Sequence, residues 1–250
     1  MTFCDRERVR QVIEGKTVAL VGSGPGVLRN PAGFIDSRDV VVRVNNYKLS
    51  DAAGRRTDVF YSFFGASIRK RREDLIRDGV TLCMAKCPDD QFIESEWHAA
   101  NCKMRGVDFR SIYRERADWW FCDTYVPSTA DFLRHFELLG NHVPTTGFAA
   151  LLDILSFSPA NVYMTGFDFF QSYLHNVNEP WRKVNTDDPI GHVPDVERQW
   201  LADNLSRLPI VCDDQLTEAL TGKVRPPRIV LRRVRAEESR RARQALVARL

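Results

Sequence analysis

A negatively charged group could bind to the four residues that directly precede a long apolar segment, Pro144-Thr145-Thr146-Gly147. The segment that follows, Phe148 to Leu155, has the apolar spacing of a buried helix. Thr145 or Thr146 can cap that helix, which leaves unpaired backbone N–H groups and the positive end of the helix dipole at its start. We therefore predict an anion site at this helix N-terminus.

A predicted strand follows shortly after this predicted helix. Residues 161–166 (Asn-Val-Tyr-Met-Thr-Gly) have a buried-strand pattern, and the chain continues into Phe167-Asp168. Ligands of open α/β sheets bind at the carboxyl ends of strands. Gly166 and Asp168 are therefore predicted to form a second wall of the same crevice.

A glycine-rich loop, Gly22-Ser23-Gly24-Pro25-Gly26, follows the first long strand. It is typical either of a phosphate or nucleotide site or of a tight turn. The loop is not a P-loop, and Val27 occupies the third glycine position of the dinucleotide fingerprint. The next strand ends in Asn45-Asn46 instead of an acid, which disfavours a nicotinamide oxidoreductase. These amides can donate to and accept from a ribose or pyrimidine edge, which favours the nucleotide interpretation.

Two histidines could take part in catalysis. His192 comes just before an amphipathic helix that begins with Pro194, where the positive end of the helix favours a neutral imidazole and hence a base. The alternative is a partly exposed loop histidine. His175 lies in a polar loop, residues 173–190, of the length that is usually functional or mobile; alternatively it is incidental.

Strands and helices alternate along the chain, which predicts a mostly parallel sheet with helices on both faces. Ser62 ends the third of the strands. Residues 88–143 contain helical patches and aromatic residues and are interpreted as a lid or inserted substrate wall. The predicted strands are 16–22, 39–46, 57–62, 80–84, 161–166 and 210–212, and the predicted helices are 5–14, 68–77, the apolar segment from Phe148, 195–208 and a short last helix to Leu220.

The composition is that of an ordinary globular protein of 250 residues, with 44% hydrophobic and 28% charged residues. No apolar run long enough for a transmembrane helix and no signal-peptide core are present, so we expect a cytosolic protein. The six cysteines lack CxxC spacing and are expected to be reduced thiols. A zinc cluster of Cys83, Cys87, His98 and Cys102 is disfavoured because its spacing fits no common site.

The last residues of the chain are strongly basic. From Arg225 to Leu250 there are nine arginines and two glutamates, a local charge of +7, so that the other 224 residues sum to −4. This tail, residues 223–250, is expected to dock on an anionic inner membrane surface. A solvated charged tail is the alternative, and nucleic-acid binding is disfavoured because the body lacks a basic-aromatic face.

Four segments together resemble the motifs of the sialyltransferases, glycosyltransferase families 29 and 42. Residues 16–45 are similar to the large sialylmotif and residues 144–167 to the small one. His175 falls where the third motif has its histidine, and His192 followed by Glu197 is similar to the very small motif. The order and spacing of all four agree with the family.

The resemblance implies a single Rossmann-like domain over residues 1–222, of the type called GT-A variant 2. It also implies a CMP-activated nonulosonic acid as donor, with no metal or other cofactor required. Candidate donor-binding residues are Gly22, Ser23, Gly24, Asn45, Asn46, Ser62, Thr145, Thr146, Gly147, Gly166 and Asp168.

His192 falls on the catalytic base of the family, and Tyr173 and His175 fall near the groups that stabilise the departing phosphate. Phe170 stands at a position where the bacterial branch has a tyrosine. The eukaryotic enzymes join their large and small motifs by a disulfide, but neither motif contains a cysteine in this chain. The resemblance is therefore to the bacterial, cytosolic type.

These features predict an inverting, metal-independent glycosyltransferase. It would move a sialic acid or related nonulosonic acid from a CMP-sugar to a hydroxyl of a surface glycan or a lipid-linked saccharide such as lipopolysaccharide. The alternative prediction is a non-catalytic nucleotide-binding module of the same fold.

Overall fold

The computed structural model describes residues 3–65, 68–88, 113, 115, 121–174, 179–180 and 192–222. One eight-stranded sheet forms the centre of this part of the chain, with the strand order β1-β6-β5-β4-β3-β2-β7-β10. Every neighbouring pair in it is parallel. Its strands are β1 (Phe3–Cys4), β2 (Thr17–Val21), β3 (Val40–Val44), β4 (Val59–Ser62), β5 (Leu82–Ala85), β6 (Asp123–Tyr125), β7 (Asn161–Thr165) and β10 (Ile210–Cys212). A separate antiparallel pair is formed by β8 (Tyr173–Leu174) and β9 (Glu179–Pro180).

Six α-helices of the described residues pack around the sheet. They are α1 (Arg6–Ile13), α2 (Arg72–Arg77), α3 (Thr129–Leu138), α4 (Thr146–Ser156), α5 (Pro194–Asn204) and α6 (Asp214–Thr221). Short 3-10 helices cover Pro25–Arg29 and Leu205–Arg207.

The central strands are buried on both faces, as parallel sheets require. All five residues of β3 are buried, and alternate residues belong to different core clusters. One cluster joins the sheet to α1 and α4, and a second joins Phe60 and Cys83 to Phe132 and Phe136 of α3. The predicted α/β class, a parallel sheet with helices on both faces, is confirmed.

The structure corrects the segment before β7. Residues 121–143 contain β6, which pairs with β5 and β1, and α3, whose Phe132 and Phe136 are fully buried. This part is an integral layer of the fold and not a lid. Most of residues 89–120 lie outside the described part, and a lid there remains a prediction.

Helix α2 is shorter than predicted, because it begins at Arg72 and not at Ile68. The Asp74 carboxylate accepts a hydrogen bond from the Arg71 N–H at 3.0 Å, which caps the helix there. Ile68 is buried, and its N–H is bonded to the carbonyl of Gly65 in a turn. At the other end of the chain, the predicted helix 195–208 is α5 followed by the 3-10 turn.

The connections leave β2 and β7 in opposite directions. The chain runs from β2 to β3 on one side, whereas β7, the other neighbour of β2, continues towards β10 at the edge. Such a point opens a crevice at the carboxyl ends of the two strands. Among the described helices, none is long and apolar enough to span a membrane.

Candidate active site

A cavity of about 370 Å³ opens at the carboxyl ends of β2, β3 and β7. Its size lies within the range of roughly 300–1,000 Å³ that is usual for small-molecule sites. Eleven of the fourteen predicted site residues line it: Gly22, Ser23, Gly24, Asn45, Asn46, Thr145, Thr146, Gly147, Gly166, Asp168 and His192. Residues more than 100 positions apart in sequence therefore converge on one cavity.

The floor of the cavity is made where the loops after β2 and β7 cross. Gly24 donates its N–H to the carbonyl of Gly166 at 2.7 Å, and Gly22 donates to the carbonyl of Thr165 at 2.8 Å. A Cβ atom on Gly22 would lie 2.3 Å from the Gly166 oxygen. Gly166 itself has a φ of 74°, in the left-handed region. The glycines are thus required by the contact between two loops, in addition to any contact with a ligand.

Asn45 is held in a left-handed conformation, with a φ of 49°, at the end of β3. The Ser62 hydroxyl accepts a hydrogen bond from the Phe64 N–H at 3.0 Å, so its proton is free to donate to Asn45 Oδ1 at 3.2 Å. That bond leaves the Asn45 NH₂ group for a ligand. Ser62 is fully buried and does not line the cavity; it orients Asn45 from behind.

The N-terminus of α4 forms another wall, and Thr145 is its cap. The Thr145 hydroxyl accepts from the Phe148 N–H at 3.3 Å. The same residue donates its N–H and its hydroxyl to the two carboxylate oxygens of Glu197, at 2.5 and 2.9 Å. An acidic side chain of the protein therefore occupies part of the predicted anion site.

Two backbone donors remain at this helix start. Within the described part of the chain, no group accepts from the N–H of Thr146 or Gly147, and both residues line the cavity. Burial raises the pKa of Glu197 to about 7, although the two hydrogen bonds from Thr145 act in the opposite direction. The anion site is thus confined to two N–H groups beside a carboxyl group that titrates near neutral pH.

His192 lines the cavity from the segment before α5. Its Nδ1 lies 2.8 Å from the carbonyl oxygen of Val143. A carbonyl only accepts, so Nδ1 carries the proton, and in the neutral ring Nε2 is the nitrogen with the basic lone pair. The contact sets both the tautomer and the ring orientation. This is the arrangement that a general base needs.

The loop after β7 presents aromatic residues and one acid. Phe167, Phe169 and Phe170 line the cavity together with Asp168. The Asp168 carboxyl group is buried and accepts from the Ser172 hydroxyl and from Gln215 Nε2, the latter at 3.1 Å. Burial raises its pKa. These contacts engage the carboxyl group within the protein, so Asp168 also acts as a structural link of the wall.

Two of the predicted catalytic residues lie where the structure gives no side-chain information. Tyr173 belongs to β8, but its side chain and the whole of His175 lie outside the described residues. Their predicted roles remain predictions. Across the described ranges, no group of three or more His, Cys, Asp or Glu residues is placed to hold a metal ion.

Several residues of the site were not predicted. Asp213 and Gln215 at the start of α6 contact the loop after β7. An aspartate between a strand and a helix is a recognisable cap signal and could have identified Asp213. Phe63 and Ile68 also line the cavity, but no pattern in the sequence distinguishes them from other buried residues.

Solved structures with a similar fold are sialyltransferases. The Campylobacter jejuni sialyltransferase CstII in complex with CMP-3FNeuAc has a TM-score of 0.50 and 15% sequence identity, over 79% of this chain and 81% of that chain. The sialyltransferase CST-II in complex with a trisaccharide acceptor and CMP has a TM-score of 0.52 and 15% identity, over 82% and 84%. A mammalian sialyltransferase has a TM-score of 0.50 and 16% identity, over 79% and 68%. No protein-family model and no curated protein sequence matches the chain. In its described part, the chain has the sialyltransferase fold.

Proposed function

We propose that this protein is a CMP-sugar-dependent glycosyltransferase that transfers a sialic acid or a related nonulosonic acid to a hydroxyl of a glycan. The observation that carries the proposal is the convergence of His192, with its base tautomer, on the same cavity as the glycine loop and the start of α4. The shared fold with sialyltransferases, two of them in complex with CMP or a CMP-sugar analogue, supports it.

The donor would bind through neutral groups. The NH₂ of Asn45 and the loop residue Ser23 would contact the cytidine and ribose. The N–H groups of Thr146 and Gly147 would bind the phosphate or the carboxylate of the sugar, where the helix dipole is favourable. The described residues that line the cavity include neither lysine nor arginine, so backbone donors are the main positive groups there.

Transfer would proceed by direct displacement with inversion. The acceptor oxygen attacks the anomeric carbon as the bond from that carbon to the CMP oxygen breaks, and the electron pair leaves with the phosphate. Nε2 of His192 takes the proton of the attacking hydroxyl. Tyr173 and His175 would donate hydrogen bonds to the departing phosphate, so the reaction would need no divalent metal.

The acceptor would be a surface glycan or a lipid-linked saccharide, and the protein would act in the cytoplasm on the inner face of the membrane. Residues 1–222 would form the catalytic domain and residues 223–250 a separate basic tail. The alternative, a non-catalytic module that binds the same nucleotide, would need the same cavity but no base.

A panel of CMP-linked sialic acid, Kdo and other ulosonic acids, incubated with the purified full-length chain and glycan acceptors, separates these functions. We expect CMP release with at least one donor, at the same rate with and without EDTA. CMP binding without release from any donor would favour the non-catalytic module. If the protein neither bound CMP nor released it from any donor, the proposed function would be refuted.

A further inference from the structure

We propose that α6 is the positioning element of the cavity: Asp213 and Gln215 hold residues 166–170 in the conformation that lines the site. The identity of the ligand rests on the proposed function, whereas the positioning itself rests on contacts within the protein. These two residues belong to none of the sequence motifs and do not line the cavity themselves.

The wall that they contact has an unfavourable backbone conformation. Phe169 and Phe170 have φ angles of 52° and 60°, and Gly166 has a φ of 74°. Left-handed conformations are uncommon for residues with a Cβ atom, and two consecutive aromatic residues there persist only when the surroundings enforce them. All three residues line the cavity. The shape of the site therefore depends on what holds this loop.

Asp213 holds the first end of the loop. Its Oδ2 accepts from the Gly166 N–H at 3.0 Å and from the Thr165 hydroxyl at 2.7 Å. Its Oδ1 accepts from the Leu216 N–H at 2.7 Å and thereby caps α6. One carboxylate thus joins the end of β7 to the start of α6. Thr165 also accepts from Asn30 Nδ2 at 2.9 Å, so the contact is part of a buried network.

Gln215 holds the middle of the loop. Its Nε2 donates to Asp168 Oδ2 at 3.1 Å, and the Asp168 carboxyl group also receives hydrogen bonds from the Ser172 hydroxyl and from the backbone of Phe170 and Ser172. The carboxyl group therefore closes the turn that contains both left-handed phenylalanines. Gln215 is buried, and a Cβ on Gly26 would lie 2.3 Å from its Oε1, so the loop after β2 packs against it as well.

Through these contacts, the start of α6 is hydrogen-bonded to the loop after β7 at three points: its start at Gly166, its centre at Asp168 and its end at Ser172. The loop after β2, which crosses Gly166, is held by the same helix through Gly26. Removing a side chain of α6 should therefore release the cavity wall while the sheet, whose hydrogen bonds are separate, stays intact. This is the difference between positioning and general stability.

The test compares Gln215→Ala and Asp213→Asn with Glu218→Ala, a control on the exposed side of the same helix. For the full-length chain, amide hydrogen exchange is followed by mass spectrometry, CMP affinity by calorimetry and unfolding by melting temperature. We expect exchange of residues 166–172 to accelerate at least tenfold in both variants and CMP affinity to fall by about fivefold or more. Peptides of β2 and β3 and the control variant should behave as wild type.

Unchanged exchange of residues 166–172 in both variants would overturn the inference. So would faster exchange spread evenly over the sheet, since that is general destabilisation. Local acceleration with unchanged CMP affinity would also overturn a role in the ligand site. If the wild type bound no CMP, the proposed function would fail, and the positioning role would be decided by the exchange pattern alone.

Discussion

Glu197 is a buried residue that accepts two hydrogen bonds from Thr145, and its burial raises its pKa to about 7. Between the ordinary glutamate pKa of 4.5 and this value, the folded protein holds a proton that the unfolded chain has lost. Stability therefore falls as the pH rises through this window, and the loss is complete above it. The contribution of Glu197 to stability, at the start of α4, thus changes with pH between about 4.5 and 7.

Glu197→Gln should abolish this contribution, because an amide does not titrate. Relative to wild type, we expect the free energy of unfolding of the variant to increase between pH 5 and pH 8, by up to roughly 3 kcal/mol. Urea unfolding at the two pH values measures it. Glu218→Gln, an exposed change on α6, is the control and should show no such increase. A difference between Glu197→Gln and wild type that is the same at both pH values would contradict the assignment.

The two loops that cross at the cavity floor are the elements on which the site depends most. Gly22 and Gly166 approach so closely that a single added carbon would meet a backbone oxygen, which cannot move aside as a side chain does. The glycines of this loop are therefore required by the packing of the two loops.

Gly22→Ala should destabilise the protein by about 3 kcal/mol through overpacking and should abolish CMP binding. Gly33→Ala is the matched control, since Gly33 has a φ of 76° but nothing within 4 Å of the added carbon. We expect a loss of about 1 kcal/mol there, from backbone conformation alone, with CMP binding retained. Denaturant unfolding and calorimetry measure both effects. Equal losses of unfolding free energy in the two variants would contradict this reason, since the contact between the loops would then add nothing to the effect of Gly22→Ala.

The elements that sequence reasoning predicted are those with strong local patterns. The apolar, β-branched runs of β2, β3 and β7 identified the central strands, and Thr145 identified the start of α4. The two-residue β1 and the three-residue β6 were missed because neither has an apolar run like the Ile-Val-Cys that identified the equally short β10; the sheet itself stabilises them. Ile68 was assigned to a helix because a cap formed by Asp74 side-chain contacts is hard to distinguish from a continuing helical pattern.

The cavity residues were predictable where they end strands or begin helices. Glu197 appeared in a motif, but its contact with Thr145, 52 positions away in sequence, depends on how α5 docks on α4. The pairing of Gln215 with Asp168 has the same cause. Contacts of this kind arise from packing between distant segments, so local sequence patterns do not contain them.

At the scale of the whole molecule, charge is divided between body and tail. Residues 225–250 carry a charge of +7 and the rest of the chain −4. A basic segment next to an enzyme of lipid-linked saccharides would bring the cavity to its acceptor, with a gain of about 1 kcal/mol for each basic residue near an anionic surface. The tail lies outside the described residues, and this role is a proposal from the sequence.

Full-length protein should bind vesicles that contain anionic lipids, and a chain ending at Gly222 should lose this binding while keeping its turnover of soluble acceptors. Binding should weaken at high salt, because the attraction is electrostatic. Co-sedimentation with anionic and with neutral vesicles measures both. Equal binding by the full-length and shortened chains would end the membrane proposal.

Two measurements on His192→Ala test the role of His192 as the general base: calorimetric affinity for CMP and rate of CMP-sugar turnover. Loss of a general base from an otherwise intact cavity should reduce turnover by about 10² to 10⁴-fold and change the CMP dissociation constant by less than about threefold. A variant that turns over CMP-sugars as fast as the wild type would rule out His192 as the base.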